Sequence, residues 1–101
     1  MIKMYILIKE SIDPGHSIVA AAHASLGCYL KFKDHQDTKE WLDKSFRKVI
    51  CKVSEEEFEN SKEFDDFVVI TESSLDNKEV AIAFRPRNEW PKAFKFYKLW
   101  K

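Results

Sequence analysis

Apolar residues along this chain fall into blocks whose spacing switches between two periods. Residues 2–9 (IKMYILIK) alternate and are rich in Ile, Leu and Tyr, which predicts a strand closed by Glu10 and Ser11. Asp13, Pro14 and Gly15 form a turn signal, after which the pattern takes a helical period from about His16 to Lys33. On that helix Ile18, Val19, Ala22, Leu26, Tyr29, Leu30 and Phe32 share one arc, while Ala20, Ala21, Ala24, Gly27 and Cys28 make the opposite side small. Such a helix is expected to be covered on both sides, the small side admitting a close backbone or a ligand. Asp37-Thr38-Lys39-Glu40 predicts a cap and first turn leading to Trp41 and Leu42 on a short second helix. Residues 47–53 (RKVICKV) predict a second strand, and Ser54 with Glu57 a capping box opening a helix to about Lys62. Residues 67–71 (FVVIT) are apolar nearly throughout, as in a buried central strand, and residues 79–84 (EVAIAF) follow a turn at 75–78. Asn88 is placed to cap a final helix from about Glu89 to the C-terminus, with Pro91 in its first turn.

The resulting order, β-α-α-β-α-β-β-α, predicts one three-layer α/β domain over residues 1–101, with a mostly parallel four-stranded sheet and helices on both faces. The short link at 75–78 makes the last two strands an antiparallel hairpin, so the sheet is mixed.

Composition narrows the class. A chain of 101 residues with 45% hydrophobic content can bury one core and is unlike a disordered segment. Two cysteines, at 28 and 51, match no C-x-x-C spacing and are expected as small core residues in a reduced, cytoplasmic setting. No apolar stretch approaches the ~20 residues of a membrane span, and the start lacks a signal-peptide pattern, so no membrane partner is expected. Charge is balanced at 17 basic and 17 acidic residues, which excludes the blanket basicity of a non-specific nucleic-acid binder. It is unevenly distributed. Residues 54–66 carry seven acids and one base, whereas residues 85–101 carry Arg85, Arg87, Lys92, Lys95, Lys98 and Lys101 against Glu89 alone. One part of the molecule can meet an anion, or both segments are simply solvated helix faces.

Dinucleotide, P-loop, nucleophile-elbow and HExxH patterns are absent. His16 and His23 lie on one stripe of the first helix, about 10.5 Å apart along its axis, too far to ligate one metal directly. They either flank an elongated ligand or are hydrogen-bonded structural histidines. His35 sits among loop charges with no chemistry assigned. Neither a metal nor a cofactor is expected. Trp90, Phe94, Tyr97 and Trp100 fall on one arc of the last predicted helix and Lys92, Lys95 and Lys98 on another. That pattern fits base stacking with phosphate contacts, and it fits equally a helix packed on the sheet. Arg85 and Arg87, flanking Pro86, are the better anion contacts.

The element order, the Gly15…Val19-Ala20-Ala21 helix start, and the runs 49–54, 68–72 and 80–86 resemble the type II peptidyl-tRNA hydrolase family over nearly the whole chain. The resemblance implies metal-free cleavage of the ester between a peptide and the tRNA 3′ end. Members of that family follow the first strand with Gly-Lys-Gly-Lys-Val-Ala-Ala-Gln and carry an Asp at the end of the third strand, a Thr in the next loop and a Pro after the last strand. Here Val19, Ala20, Ala21 and Pro86 fit. His16 and Ile18 stand where the lysines would be, Ala22 where the glutamine would be, and Glu72 where the aspartate would be. Ser73 and Ser74 replace the threonine. The resemblance thus implies Glu72 and His16 as catalytic groups, Glu72 orienting water and a protonated His16 standing in for lysine as a donor. Helix amides near Ser17 would supply the oxyanion contact. Gly15, Ser17, Ala20, His23, Ser73, Ser74, Arg85 and Arg87 are the expected ligand contacts.

Three functions are compatible with these features. One is an esterase acting on peptidyl- or aminoacyl-tRNA. Another is a binding module of the same fold that takes a nucleotide-like or metabolite ligand without turnover. The third is an interaction protein using its aromatic C-terminal helix. A monomer or a homodimer is compatible with each.

Overall fold

The computed structural model describes all residues, 1–101. Its elements are β1 (Lys3–Lys9), α1 (Pro14–Phe32), α2 (Gln36–Asp43), β2 (Arg47–Val53), α3 (Glu55–Ser61), β3 (Phe67–Glu72), β4 (Lys78–Phe84) and β5 (Lys98–Leu99). Two 3-10 turns, Ser73–Leu75 and Lys92–Phe96, complete the chain. The α/β class and the mixed sheet are as expected, but the sheet has five strands in the order β3-β4-β1-β2-β5. Only β1 and β2 pair in parallel, and the other three pairings are antiparallel.

Local chemistry explains where the helices begin. Asp13 caps α1 by accepting the His16 amide at 3.2 Å, and Pro14 takes the first helical position, where a missing N–H costs nothing. The cap of α2 is His35 rather than Asp37: its Nδ1 accepts the Asp37 amide at 3.0 Å. Ser54 and Glu57 form the expected reciprocal box at α3, with distances of 2.8 and 3.1 Å.

The alternation of β1 divides the core into two halves. Met4, Ile6 and Ile8 point to the α1 side, where they meet Ala20, Ala24, Cys28 and Trp41. Tyr5 and Leu7 point to the other side and meet Val53, Phe58, Ile82, Phe84 and Phe94. Burial of each large side chain contributes about 1.5–3 kcal/mol. Burial also pushes the Cys28 thiol up to about 12 and that of Cys51 up to about 11, so both behave as small apolar groups.

Two expectations are corrected. Helix α1 is not covered on both sides. Its small face, through Ser17, Ala20, Ala24 and Cys28, takes the close approach of the sheet, one of the two uses expected of it, while Ile18, Leu26 and Leu30 are 69%, 59% and 55% exposed. Tyr29 and Phe32, at the margin of that arc, pack partly on the core, and the rest of it faces outward. The final helix does not form. Aromatic residues have modest helix propensity, and here they have a better alternative. Trp90 and Phe94 pack on Tyr5 and Phe84 with ring centroids 4.7–6.4 Å apart, and the chain then runs extended beside β2, with the Trp100 amide donating to Ile50 O at 2.9 Å. Pairing with β5 satisfies part of what would otherwise be an open β2 edge. The aromatic C-terminal helix needed by the interaction-protein reading is therefore missing.

Candidate functional site

Strands β1 and β3 run in the same direction, because each pairs antiparallel with β4 between them. Their C-terminal ends thus share one end of the sheet, and α1 begins there, at Asp13. Four side chains converge at this point. His16 Nδ1 lies 2.7 Å from Asp13 Oδ1, and His16 Nε2 lies 3.1 Å from Ser74 Oγ. The Ser74 hydroxyl is 2.9 Å from Glu72 Oε2, and the same carboxylate oxygen accepts the Ser74 amide at 3.2 Å. The result is a continuous chain, Asp13–His16–Ser74–Glu72, joining the start of α1 to the turn after β3.

Each member is placed by an ordinary local motif. Asp13 is an N-cap, His16 sits on the first turn, Glu72 ends β3, and Ser74 rides on the 3-10 turn that Glu72 caps. The cluster stays accessible: the His16 side chain is 36% exposed and that of Asp13 58%. The hydrogen bond from the His16 side chain, helped by its amide, holds the Asp13 carboxyl below its ordinary range. The Ser74 amide and hydroxyl do the same for Glu72, with smaller help from His16 and His23. Both are carboxylates at neutral pH. An ionised Asp13 requires a proton on His16 Nδ1, which in the neutral ring leaves Nε2 as the acceptor facing Ser74.

The expected contacts divide into three groups. Glu72, His16 and Ser74 come together, with Gly15 and Ser73 exposed beside them and His23 exposed two turns along α1. Ser17 and Ala20 do not line this site. Ala20 is fully buried against the sheet, and the Ser17 hydroxyl donates to Ile12 O at 3.2 Å inside the core. The Ser17 amide, expected near an oxyanion, instead donates to Asp13 O at 2.9 Å as the first bond of the helix. Arg85 and Arg87 lie at the opposite end of the sheet, where Arg87 bridges to Lys3 at the start of β1, a strand length of roughly 20 Å away. There they are 8% exposed and engaged by carboxylates: Arg85 Nε meets Asp66 at 2.8 Å, Arg85 Nη1 meets Asp37 at 3.1 Å, and Arg87 Nη1 meets Asp65 at 2.9 Å. Charge segregation along the sequence gave these arginines the look of anion contacts. In three dimensions the acidic segment folds back to neutralise them.

Two features escaped sequence reasoning. Asp13 read only as a turn residue, although a carboxylate three positions before a histidine at a helix start can both cap the helix and hold the ring. Lys52 and Lys98, paired across β2 and β5, lie with Lys101 at the same end of the sheet as the His16 cluster. That patch depends on β5, which the expected helix concealed. On the α1 flank toward β2, a mostly apolar cavity of about 170 Å³ is lined by Ile8, Ser17, Ile18, Ala21, Ile50 and Trp100, so Ser17, absent from the His16 cluster, does border this second cavity.

No curated protein matches the chain. The family model described as Peptidyl-tRNA hydrolase PTH2 matches residues 2–84, a span that runs from β1 through β4 and includes Asp13, His16, Glu72 and Ser74. With four of the five strands, the three helices and most of the length inside the matched span, the chain belongs to the PTH2 peptidyl-tRNA hydrolase family.

Proposed function

We propose that the chain hydrolyses the ester joining a peptidyl or aminoacyl group to the 3′ end of tRNA in the cytoplasm. The observation that carries this reading is the Asp13–His16–Ser74–Glu72 cluster at the start of α1, within the span matched by the family model. Ester cleavage needs a proton acceptor that can later return the proton to the leaving oxygen, a placed water, and a positive field near the developing oxyanion. His16 has an acceptor nitrogen on its exposed side. Glu72 Oε2 is occupied by Ser74, and its other oxygen is available to hold water. The N-terminal end of α1 supplies the field, and the Gly15 amide there has no backbone partner. Lys98 and Lys101, with Lys52, whose Nζ donates to Lys101 O at 2.8 Å, outnumber Glu10 in a depression at the same end of the sheet and offer contacts to backbone phosphate.

The test is release of peptide from purified peptidyl-tRNA. Turnover is expected in the native chain, with a drop of about 10²–10⁴-fold in H16A and E72Q while both variants stay folded. Native protein without turnover above background would defeat the reading.

One observation favours the binding module instead. The apolar cavity beside α1 has room for about one aromatic ring, judged against engineered cavities of similar size that admit benzene. Saturable binding of a nucleoside without turnover, abolished when Ala21 is enlarged to Leu, is the outcome that selects it.

A further inference from the structure

We propose that Ser74 is the acyl acceptor of this site, so that cleavage passes through a covalent Ser74 ester with His16 as its base. The inference rests on the reading that the site cleaves acyl esters. It adds the identity of the nucleophile.

The geometry is that of an activated hydroxyl. A nucleophilic serine needs a base within hydrogen-bond reach and a third group that orients the base. His16 Nε2 stands 3.1 Å from Ser74 Oγ, and the opposite ring nitrogen is held at 2.7 Å by Asp13 Oδ1. Acid, base and hydroxyl thus lie in line, on side chains set by a helix cap and a capped turn. Ser74 has one hydroxyl proton and two acceptors in reach, His16 Nε2 and Glu72 Oε2 at 2.9 Å. When the hydroxyl points to His16, Glu72 still holds the Ser74 amide at 3.2 Å, which fixes the turn without consuming the nucleophile's proton. Asp13 and Glu72 are positioning residues in this first step.

Cleavage divides into two half-reactions. In the first, Ser74 Oγ attacks the ester carbonyl carbon while its proton passes to His16 Nε2. The tetrahedral adduct collapses, the bond from carbon to the ribose oxygen breaks, and His16 returns the proton to that oxygen. Ser74 now carries the acyl group. In the second, a water held by the free oxygen of Glu72 gives its proton to His16 and attacks the same carbon, and the Ser74 Oγ–carbon bond breaks with the proton returning to Oγ. The products are the carboxylic acid and the free tRNA end, with the protein unchanged.

In E72Q the side-chain amide oxygen can still accept the Ser74 amide and hold the turn, but the water loses its carboxylate. The second half should therefore slow far more than the first, and the intermediate should accumulate. The experiment mixes the intact protein with p-nitrophenyl acetate and follows both p-nitrophenol release and the mass of the protein. The native chain is expected to give a burst of p-nitrophenol, and E72Q to hold an acetyl adduct mapped to Ser74. S74A should give neither. H16A should form the adduct more than about tenfold more slowly. D13N should slow it with KM for the ester unchanged, since the ring is misoriented and the binding surface is intact. Circular dichroism confirms that each variant is folded. Absence of any Ser74 adduct in native protein and E72Q overturns the inference, as does an S74A variant that keeps full peptidyl-tRNA turnover. In the second case the hydrolase reading stands and water attacks directly. An adduct on Ser74 in a protein that leaves peptidyl-tRNA intact upholds the nucleophile and removes the tRNA substrate instead.

Discussion

At the scale of single residues, the candidate site is built from groups that also do structural work. Asp13 caps α1 and orients His16 with two different oxygens. Glu72 caps the turn that carries Ser74. Both carboxyls bind protons less readily in the folded chain than in the unfolded one. Their contribution to stability is therefore present above the ordinary carboxylate range and disappears as pH falls through their lowered values. D13N should accordingly show a shallower fall of Tm than native protein between about pH 5 and pH 2. Its Tm at neutral pH should change little, because Asn is also a good cap. Thermal melts across that range are the check, and parallel curves for the two proteins would uncouple Asp13 from folding.

At the scale of elements, the decisive packing is α1 on the sheet. Ala20 and Ala24 are fully buried there, so A20L or A24L should overpack the helix–sheet junction and lower stability by about 1–3 kcal/mol in chemical denaturation. Outward positions such as Leu26 should accept polar substitution within about 0.5 kcal/mol, since they are exposed. The hairpin between β3 and β4 gives a prediction of opposite sign. Asp76 and Asn77 both have positive φ, 57° and 58°, a conformation that Gly adopts without steric cost. N77G should therefore hold or raise stability, by at most about 1 kcal/mol. A marked drop would mean that the Asn77 side chain itself secures the turn bearing Ser74.

At the scale of the whole molecule, a chain of zero formal net charge separates its charges by position. One end of the sheet holds the His16 cluster and, toward β5, Lys52, Lys98 and Lys101. The other holds the Arg85 and Arg87 ion pairs with Asp37, Asp65 and Asp66. If tRNA is the substrate, K52A with K98A should weaken its binding. The slope of log Kd against log salt should then fall by roughly 0.7–0.9 for each phosphate that a lysine no longer neutralises. R87A should act differently: it leaves Asp65 unpaired and uncovers the Phe64 and Trp90 rings, so it should lower Tm without changing that slope. Fluorescence anisotropy with tRNA at several salt concentrations distinguishes the two effects.

Much of this was legible in the sequence because it depends on neighbours along the chain. Alternation in β1, the Ser54–Glu57 box, a first helix opening just after the Asp13-Pro14-Gly15 signal and the hairpin turn involve residues a few positions apart, and local sterics and capping settle them, although the helix begins at Pro14, two residues before the expected His16. The family resemblance marked His16, Glu72 and Ser74 for the same reason, as motifs of fixed spacing. What the tertiary structure alone decided depends on partners far apart in sequence. Residues 89–101 have a helical spacing of aromatics, yet the sheet face and the open edge of β2 compete for them and win. The two faces of α1 were visible, but only the packed molecule shows that the small face, with Ser17 and Ala20, is the buried one. Arg85 and Arg87 carry the same charge wherever they sit. It is Asp37, Asp65 and Asp66, brought in from at least 19 residues away, that turn them from anion contacts into structural ion pairs. His16 and Ser74 meet across 58 residues of chain, and no local rule reaches that far.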